Sequence, residues 1–146
     1  MLPFKKILYP TDFSEASYEA LKAANELALY FSAELCLVHV VSPVVQAPPD
    51  FALSALPLEE ASAENSLQEV AKQRVSREVH VRQIIVLGGA ADEIVRISEE
   101  EKVDLIVIAT HGQTGWRHMV FGSVAEKVVR LAPCPVLTIR APHEES

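Results

Sequence analysis

Five short apolar runs alternate with helix-like segments along this chain, and the alternation strongly constrains its fold. The second run, Leu35–Val41, has no polar–apolar alternation, so both faces of this strand should be covered. Strands that alternate with helices predict a parallel sheet with helices on both faces. We therefore predict an α/β fold with a five-stranded, Rossmann-like parallel sheet in the order 3-2-1-4-5. The predicted strands are Lys6–Pro10, Leu35–Val41, Val79–Leu87, Leu105–Ala109 and Val136–Arg140.

Four helices are predicted between the strands from the helical spacing of apolar residues. Ser14 is a suitable N-cap for the first helix. For the last helix, Ser123-Val-Ala-Glu126 matches a capping box, with Ser123 as the N-cap. Residues 42–57 contain four prolines, which predict a long loop in place of a regular element. The other predicted helices cover Glu59–Arg77, Ala90–Lys102 and Ser123–Ala132.

Length and charge exclude several classes of protein. The 146 residues fit one domain, 1–146, and the net charge of −7 without a basic run argues against a nucleic-acid partner. No apolar stretch approaches the roughly 20 residues that a membrane span needs. Cys36 and Cys134 lie in apolar sequence and are expected to be reduced packing residues. With no signal-peptide pattern at its start, the chain is expected in the cytoplasm.

Three of the five glycines, Gly112, Gly115 and Gly122, lie between the fourth strand and the last helix. Glycine lets the backbone approach a ligand closely, and the first N–H groups of a helix have no partner within it. A strand, a glycine-bearing loop and a helix N-terminus in this order are typical of a phosphate site. These glycines could instead serve only the turns of the loop.

Ligands of parallel sheets bind beyond the carboxyl ends of the strands, where the strand order reverses. Here the first and fourth strands end in Pro10-Thr11-Asp12 and Ala109-Thr110-His111-Gly112. If these strands are neighbours, Asp12 could accept hydrogen bonds from ribose hydroxyls, while the loop and Ser123 hold phosphates. Asp12 could also be only a turn residue before Ser14, and Ser123 only a helix cap.

Two histidines near the strands have alternative roles. His39 interrupts an apolar strand, and a packed, hydrogen-bonded core histidine is favoured over a ligand. His111 could donate to a phosphate or cap a turn. Further along the loop, Arg117 and His118 could approach a γ-phosphate or be solvated.

The glycine loop resembles the motif of nucleotide-binding members of the universal stress protein family. That motif is Gly-x-x-Gly, nine residues, then Gly-Ser or Gly-Thr. Gly112, nine further residues and Gly122-Ser123 match it, while Ala109 replaces the first glycine. The resemblance covers essentially the whole chain and is weakest in the proline-rich segment. The other similar segments are Ile7–Ser14, Leu37–Val41, Val103–Ile108 and Pro133–Arg140.

The resemblance implies a dimeric, stress-related domain that binds ATP or AMP, with Mg²⁺ or Mn²⁺ as a possible companion of the nucleotide. In this chain it assigns the ribose to Asp12, the adenine to the Val40 backbone and the phosphates to the glycine loop. The predicted edge strand Val136–Ile139 would form the homodimer. The expected binding residues are Pro10, Thr11, Asp12, Val40, Ala109, His111, Gly112, Gly122, Ser123 and Val124.

Three functions remain open from the sequence. The chain could be a regulatory module whose bound nucleotide changes an unknown protein partner, a slow ATPase, or a dimeric interaction protein with a vestigial pocket. The sequence contains neither a complete Walker A motif nor Cys/His zinc spacing. A binding protein is therefore favoured over an enzyme.

Overall fold

A computed structural model describes residues 2–42, 49–110 and 122–140, with side chains of the second helix described from Pro57 onward. Its five strands form one parallel sheet in the order β3-β2-β1-β4-β5, and four helices complete the fold. The predicted fold and strand order are confirmed. In chain order, the elements are β1 (Lys6–Pro10), α1 (Glu15–Phe31), β2 (Glu34–Val41), α2 (Pro49–Arg74), β3 (Val81–Leu87), α3 (Ala90–Glu100), β4 (Leu105–Ala109), α4 (Ser123–Leu131) and β5 (Val136–Ile139).

The core lies on both faces of the sheet, as the continuous apolar strands predict. On one face, Ile7 and Leu37 pack with buried residues of α1 and α2. On the other face, Leu8, Val38 and Ile106 pack with buried residues of α3 and α4. Each fully buried aliphatic side chain contributes about 1.5–3 kcal/mol relative to an exposed one.

β1 is paired unequally with its two neighbours. Its register with β2 runs the whole strand, from Lys6 opposite Glu34 to Pro10 opposite Val38. Its register with β4 consists of Ile7 opposite Leu105 and the next pair along. The three strands β3-β2-β1 are therefore connected to β4-β5 through the short ladder between β1 and β4.

The predicted loop over 42–57 is wrong from residue 49 onward, because α2 begins at Pro49 and contains Pro57. A proline in the first helical turn loses no hydrogen bond, since the N–H groups there have no partner within the helix. Pro57 is exposed, and buried Leu67 and Val70 further along the helix pack against the sheet. This packing outweighs the local cost of an interior proline. Residues 43–48 lie outside the described part of the chain.

α2 also ends earlier than predicted, at Arg74 instead of Arg77. Asn25 of α1 accepts a hydrogen bond from the Ser76 N–H at 2.9 Å and donates to the Ser76 hydroxyl at 3.1 Å. This contact with α1 binds the backbone just beyond the end of the helix. The smaller boundary shifts elsewhere are of the size at which helix and strand ends are ordinarily ambiguous.

Both cysteines are free thiols, as expected. Cys36 is fully buried in β2, and its burial, together with nearby Glu34, raises the pKa of its thiol to about 12. Cys134 is partly buried, and desolvation raises the pKa of its thiol as well. Within the described ranges, no helix is long and apolar enough to cross a membrane.

Candidate functional site

A cleft of about 490 Å³ opens at the carboxyl ends of the central strands. The chain leaves β1 toward β2 and reaches β4 on the other side, so the strand order reverses at this point. Open parallel sheets bind their ligands at such a position. The volume falls within the usual range of small-molecule pockets, about 300–1,000 Å³.

Eight of the ten residues predicted from the sequence line this cleft, whereas His111 and Gly112 lie outside the described residues. The eight are Pro10, Thr11, Asp12, Val40, Ala109, Gly122, Ser123 and Val124. Sequence reasoning did not place the other lining residues in the site. They are Ser17, Val38, His39, Ser42, Ala90, Ile94, Ile108, Thr110 and Ala125.

Two of these additional residues, Ala90 and Ile94, come from the start of α3, directly after the turn at Gly88-Gly89. Gly88 has a φ of +142°, a backbone conformation that favours glycine. Its N–H donates to the Val41 carbonyl at 3.0 Å, which fixes the turn beside the end of β2. The paired glycines were the available signal in the sequence for this wall of the cleft.

The β1–α1 turn is held by its own side chains. The Thr11 hydroxyl accepts a hydrogen bond from the Phe13 N–H at 2.9 Å, and Asp12 Oδ1 accepts one from the Ser14 N–H at 3.0 Å. Thr11 is only 6% exposed, and its hydroxyl also lies 3.0 Å from that of Ser17. The turn role considered for Asp12 is therefore real, and the same carboxylate also lines the cleft.

Tyr9 supports this turn from below. Its hydroxyl donates to the Ser17 carbonyl at 2.7 Å, while the Ser17 hydroxyl donates to the Ser14 carbonyl at 2.7 Å. Burial raises the pKa of Tyr9 to about 12, so the phenol is a neutral donor at physiological pH. Buried groups that are all hydrogen-bonded make a rigid support for the residues above them.

His39 is partly buried and hydrogen-bonded, as expected for a packed histidine, but it also lines the cleft. Its Nδ1 lies 2.8 Å from the Thr11 carbonyl oxygen. Its ring packs on that of Phe13, with centroids 4.6 Å apart. Phe13 has a φ of 63°, which is uncommon for a bulky residue and requires support from its surroundings.

The main chain of Val40 faces the cleft beyond the end of β1. The Val38 carbonyl accepts from the Thr11 N–H at 2.8 Å on the β1 side, and the Val41 carbonyl accepts from Gly88 on the β3 side. Successive residues of a strand direct their main-chain groups to opposite sides. The N–H and C=O of Val40 therefore face the β1 side, where the last register pair is already Pro10 with Val38.

The helix that starts at the other wall, α4, corrects one prediction. Its N-cap is Gly122, with extended backbone and no side-chain cap hydrogen bond, and Ser123 is the first helical residue. The predicted capping box at Ser123 and Glu126 is therefore wrong. The Gly122 carbonyl accepts the first helical hydrogen bond, from the Glu126 N–H, so the cap lies one residue earlier.

The electrostatics of the cleft combine one acidic side chain with the positive end of a helix. Asp12 is the only carboxylate among the described lining residues. The first turn of α4 faces the same space, and a helix N-terminus carries about half a positive charge. Within the described residues, no group of three or more His, Cys, Asp or Glu side chains could hold a metal ion. The arrangement suits a ligand with both hydroxyl and anionic groups.

Known proteins with the same architecture are similar to this chain in sequence and in structure. The model of the universal stress protein family matches residues 3–140. Universal stress protein MJ0531 of Methanocaldococcus jannaschii is 40% identical, over 97% of this chain and 85% of its own length. The solved structure of MJ0577 from that organism has a TM-score of 0.88 and 33% identity, over 97% of this chain and 99% of its own.

Two solved structures with the same fold contain nucleotides. A universal stress protein of Archaeoglobus fulgidus in complex with dAMP has a TM-score of 0.68 and 20% identity, over 94% of this chain and 98% of its own. A universal stress protein in complex with cAMP has a TM-score of 0.67 and 21% identity, over 94% and 97%. At these identities the likeness concerns the fold.

Proposed function

Because this chain belongs to the universal stress protein family, we propose that it binds an adenine nucleotide, ATP or AMP, in the cleft described above. Bound nucleotide would alter its interaction with a protein partner, which makes the chain a regulatory module. We place it in the cytoplasm as a single domain over residues 1–146.

The observation that carries this proposal is the pairing of an acidic turn with a helix N-terminus whose N-cap is a glycine, across one cleft. Asp12 lies on the β1 wall, and the first turn of α4 on the other. A carboxylate accepts hydrogen bonds from vicinal hydroxyls, whereas helix N–H groups donate to phosphates. The dAMP and cAMP complexes of proteins with the same fold add support from outside the chain.

In this proposal each part of the nucleotide meets a group of matching chemistry. The ribose hydroxyls bind Asp12, and the adenine edge meets the N–H and C=O of Val40. The apolar walls at Val38 and Ile94 cover the base. The phosphates bind N–H groups of the first turn of α4, beginning at Ser123. The residues predicted from the sequence complete the site: Pro10, Thr11, Ala109, His111, Gly112, Gly122 and Val124.

The local attraction must outweigh the repulsion between a polyanionic ligand and a chain with a net charge of −7. The helix N-terminus contributes roughly 0.3–2 kcal/mol. Each charge-assisted N–H contact contributes about 1.5–3 kcal/mol. A few such contacts give a binding free energy of about −8 kcal/mol, which corresponds to a dissociation constant in the micromolar range.

A divalent cation would enter with the nucleotide. Mg²⁺ is commonly held by one or two carboxylates plus phosphate oxygens and waters. Asp12 could provide the carboxylate, and the phosphates of the nucleotide and bound waters would provide the other oxygen ligands. Mn²⁺ accepts the same oxygen donors. The cation would neutralise phosphate charge, and Asp12 would accept it through water or phosphate.

The proposed partners include a second copy of this chain. β5 is an edge strand, and Leu137 is 38% exposed. Pairing two identical edges would remove this exposed edge. Sedimentation should show a dimer at micromolar concentration, and Val136→Pro should reduce the mass to that of a monomer. A monomeric wild-type protein would contradict this part of the proposal.

The first experiment is mass spectrometry of ligand released from the purified protein. Co-purified ATP or AMP would support the proposed function. A protein that neither carries nor binds adenine nucleotides would favour the interaction protein with a vestigial pocket. Phosphate release at about 1 per second or faster would favour an ATPase over a regulatory binder.

The second experiment tests the assignment of the ribose. Asp12→Ala should weaken ATP binding by about tenfold, because a hydrogen bond to a charged group contributes about 1.5–3 kcal/mol. Inorganic triphosphate has no ribose, and in a calorimetric titration without divalent cations it should bind both proteins alike. Asp12→Asn is the matched control, since it keeps the shape and removes the charge. Equal ATP affinity in Asp12→Ala and wild type would contradict the assignment.

A further inference from the structure

His39 contacts the residues on both sides of Asp12. Its Nδ1 bonds to the carbonyl oxygen of Thr11, and its ring packs on Phe13. It reaches this turn from β2, from a position 28 residues away along the chain. Among the described residues that line the cleft, it therefore links β2 directly to the turn that carries the carboxylate.

The hydrogen bond fixes the tautomer of the ring. A carbonyl oxygen can only accept, so the hydrogen must lie on Nδ1 of His39. In the neutral ring, Nε2 is then the acceptor, and in the protonated ring both nitrogens donate. Nδ1 therefore donates to Thr11 in either charge state.

The Thr11 carbonyl and the Asp12 N–H belong to one planar peptide unit. A hydrogen bond to that carbonyl fixes the orientation of the peptide from which Asp12 extends. Phe13, the next residue, holds a left-handed backbone that its packing on the His39 ring supports. We propose that His39 is a positioning residue, which sets the Asp12 carboxylate toward the ribose of the bound nucleotide. This inference rests on the proposed function.

His39→Leu removes the donor and retains an apolar side chain. It should weaken ATP binding about fivefold, the usual effect of one lost hydrogen bond, and change triphosphate binding by less than about twofold. His39→Asn should restore most of the affinity, because an amide nitrogen can donate near the place of Nδ1. Equal losses for ATP and triphosphate would show a general structural role and overturn the proposal.

A double-mutant cycle with Asp12→Ala provides the sharper test. If His39 acts through Asp12, His39→Leu should cause no further loss of ATP affinity once Asp12 is alanine. Additive losses would overturn the proposal. Failure of wild-type protein to bind either ATP or AMP would reject the proposed function itself, whereas wild-type affinity in His39→Leu would reject only the role of His39.

Nitrogen chemical shifts of His39 in the wild-type protein give a measurement that needs no variant. The expected spectrum shows a hydrogen on Nδ1, both without ligand and with ATP. An Nε2–H tautomer would overturn the proposal. This measurement remains decisive if His39→Leu does not fold.

Discussion

Helices α1 and α4 both begin at the cleft, but their first turns are built differently. At α1, the Ser14 hydroxyl accepts a hydrogen bond from the Ser17 N–H at 3.2 Å. The Ser14 N–H itself is bound by Asp12. At α4, the N-cap is Gly122, which has no side chain with which to cap the helix. One N–H donor of α1 is therefore bound by the side chain of its own N-cap residue, whereas the N-cap residue of α4 provides no side-chain acceptor.

This difference distinguishes a helix start that stabilises the fold from one that suits a ligand. A serine cap satisfies an N–H group in every copy of the folded protein. A glycine cap leaves that N–H to water or to an anion, and it leaves room for the anion to approach. Under the proposed function, α1 supports the cleft and α4 binds the phosphates.

Gly122→Val should have the largest effect, because it fills the space in front of the first turn of α4. Loss of two charge-assisted contacts corresponds to more than about 100-fold in ATP affinity. The fold should survive, since Gly122 has a φ of −70° and a ψ of 157°, which valine also adopts. Calorimetric titration with ATP measures the loss.

The matched control for this variant is Gly89→Val at the N-cap of α3. Gly89 has a similarly extended backbone, and an added Cβ would meet only Asp92 Oδ2, at 3.6 Å. ATP affinity should change by less than about twofold, because no phosphate contact is removed. Equal affinity of wild type and Gly122→Val would mean that the phosphate site is misplaced.

Gly122→Asp would make α4 resemble α1. An aspartate cap should accept an N–H of the first turn and stabilise the helix by about 0.3–1 kcal/mol. The same side chain should occupy the space that valine fills, and its charge should repel the phosphates, so ATP affinity should fall by about 100-fold. Thermal unfolding and calorimetry should therefore move in opposite directions.

Gly122→Asn separates the two causes, since asparagine caps the helix without a charge. Its affinity should lie between those of wild type and Gly122→Asp. If Gly122→Asp binds ATP as wild type does, the first turn of α4 is not the phosphate site.

Ser14→Ala should affect stability more than binding. Loss of an N-cap costs about 1 kcal/mol, which lowers the unfolding midpoint by about 3 °C for a chain of this size. ATP affinity should fall by less than about threefold, because the Ser14 N–H that bonds to Asp12 is retained. Ser14→Asp preserves the cap and is the control. A tenfold loss of affinity in Ser14→Ala would remove the distinction between the two helices.

Ala109→Gly should have the smallest effect. It introduces the glycine that the family motif carries at this position, at the cleft end of β4. Removal of a methyl group that crowds the ligand should tighten ATP binding by about twofold, while glycine in a strand costs roughly 0.5–1 kcal/mol of stability. Unchanged or weaker binding would show that the methyl group does not crowd the nucleotide.

The sheet order and the α1 cap could be predicted from the sequence because local patterns encode them. Continuous apolar strands required cover on both faces, and Ser14 stood directly before a helical pattern. The start of α2 could not be predicted, since packing of Leu67 and Val70 on the sheet outweighs the proline signal. The α4 cap was misplaced by one residue because glycine and serine are both favourable caps.

The position of His39 in the cleft could not be predicted from the local sequence pattern. Its contact with Thr11 depends on the register that sets Pro10 opposite Val38, which only the assembled sheet determines. A histidine within an apolar run indicated a hydrogen-bonded side chain but not its partner. The cleft-lining residues of α3 had a local signal in the paired glycines before the helix, but that signal did not show that the helix packs beside β2.

The short ladder between β1 and β4 means that few backbone hydrogen bonds connect the two strands in the middle of the sheet. A ligand held by Asp12 on one side and by α4 on the other would bridge β1 and β4 at their carboxyl ends, where the pairing between these two strands has stopped. Such a ligand would connect strands β3-β2-β1 to strands β4-β5 at a place where few backbone hydrogen bonds join β1 to β4. Binding of the ligand would then reduce the flexibility of β5, the edge strand beside β4, without changing its conformation.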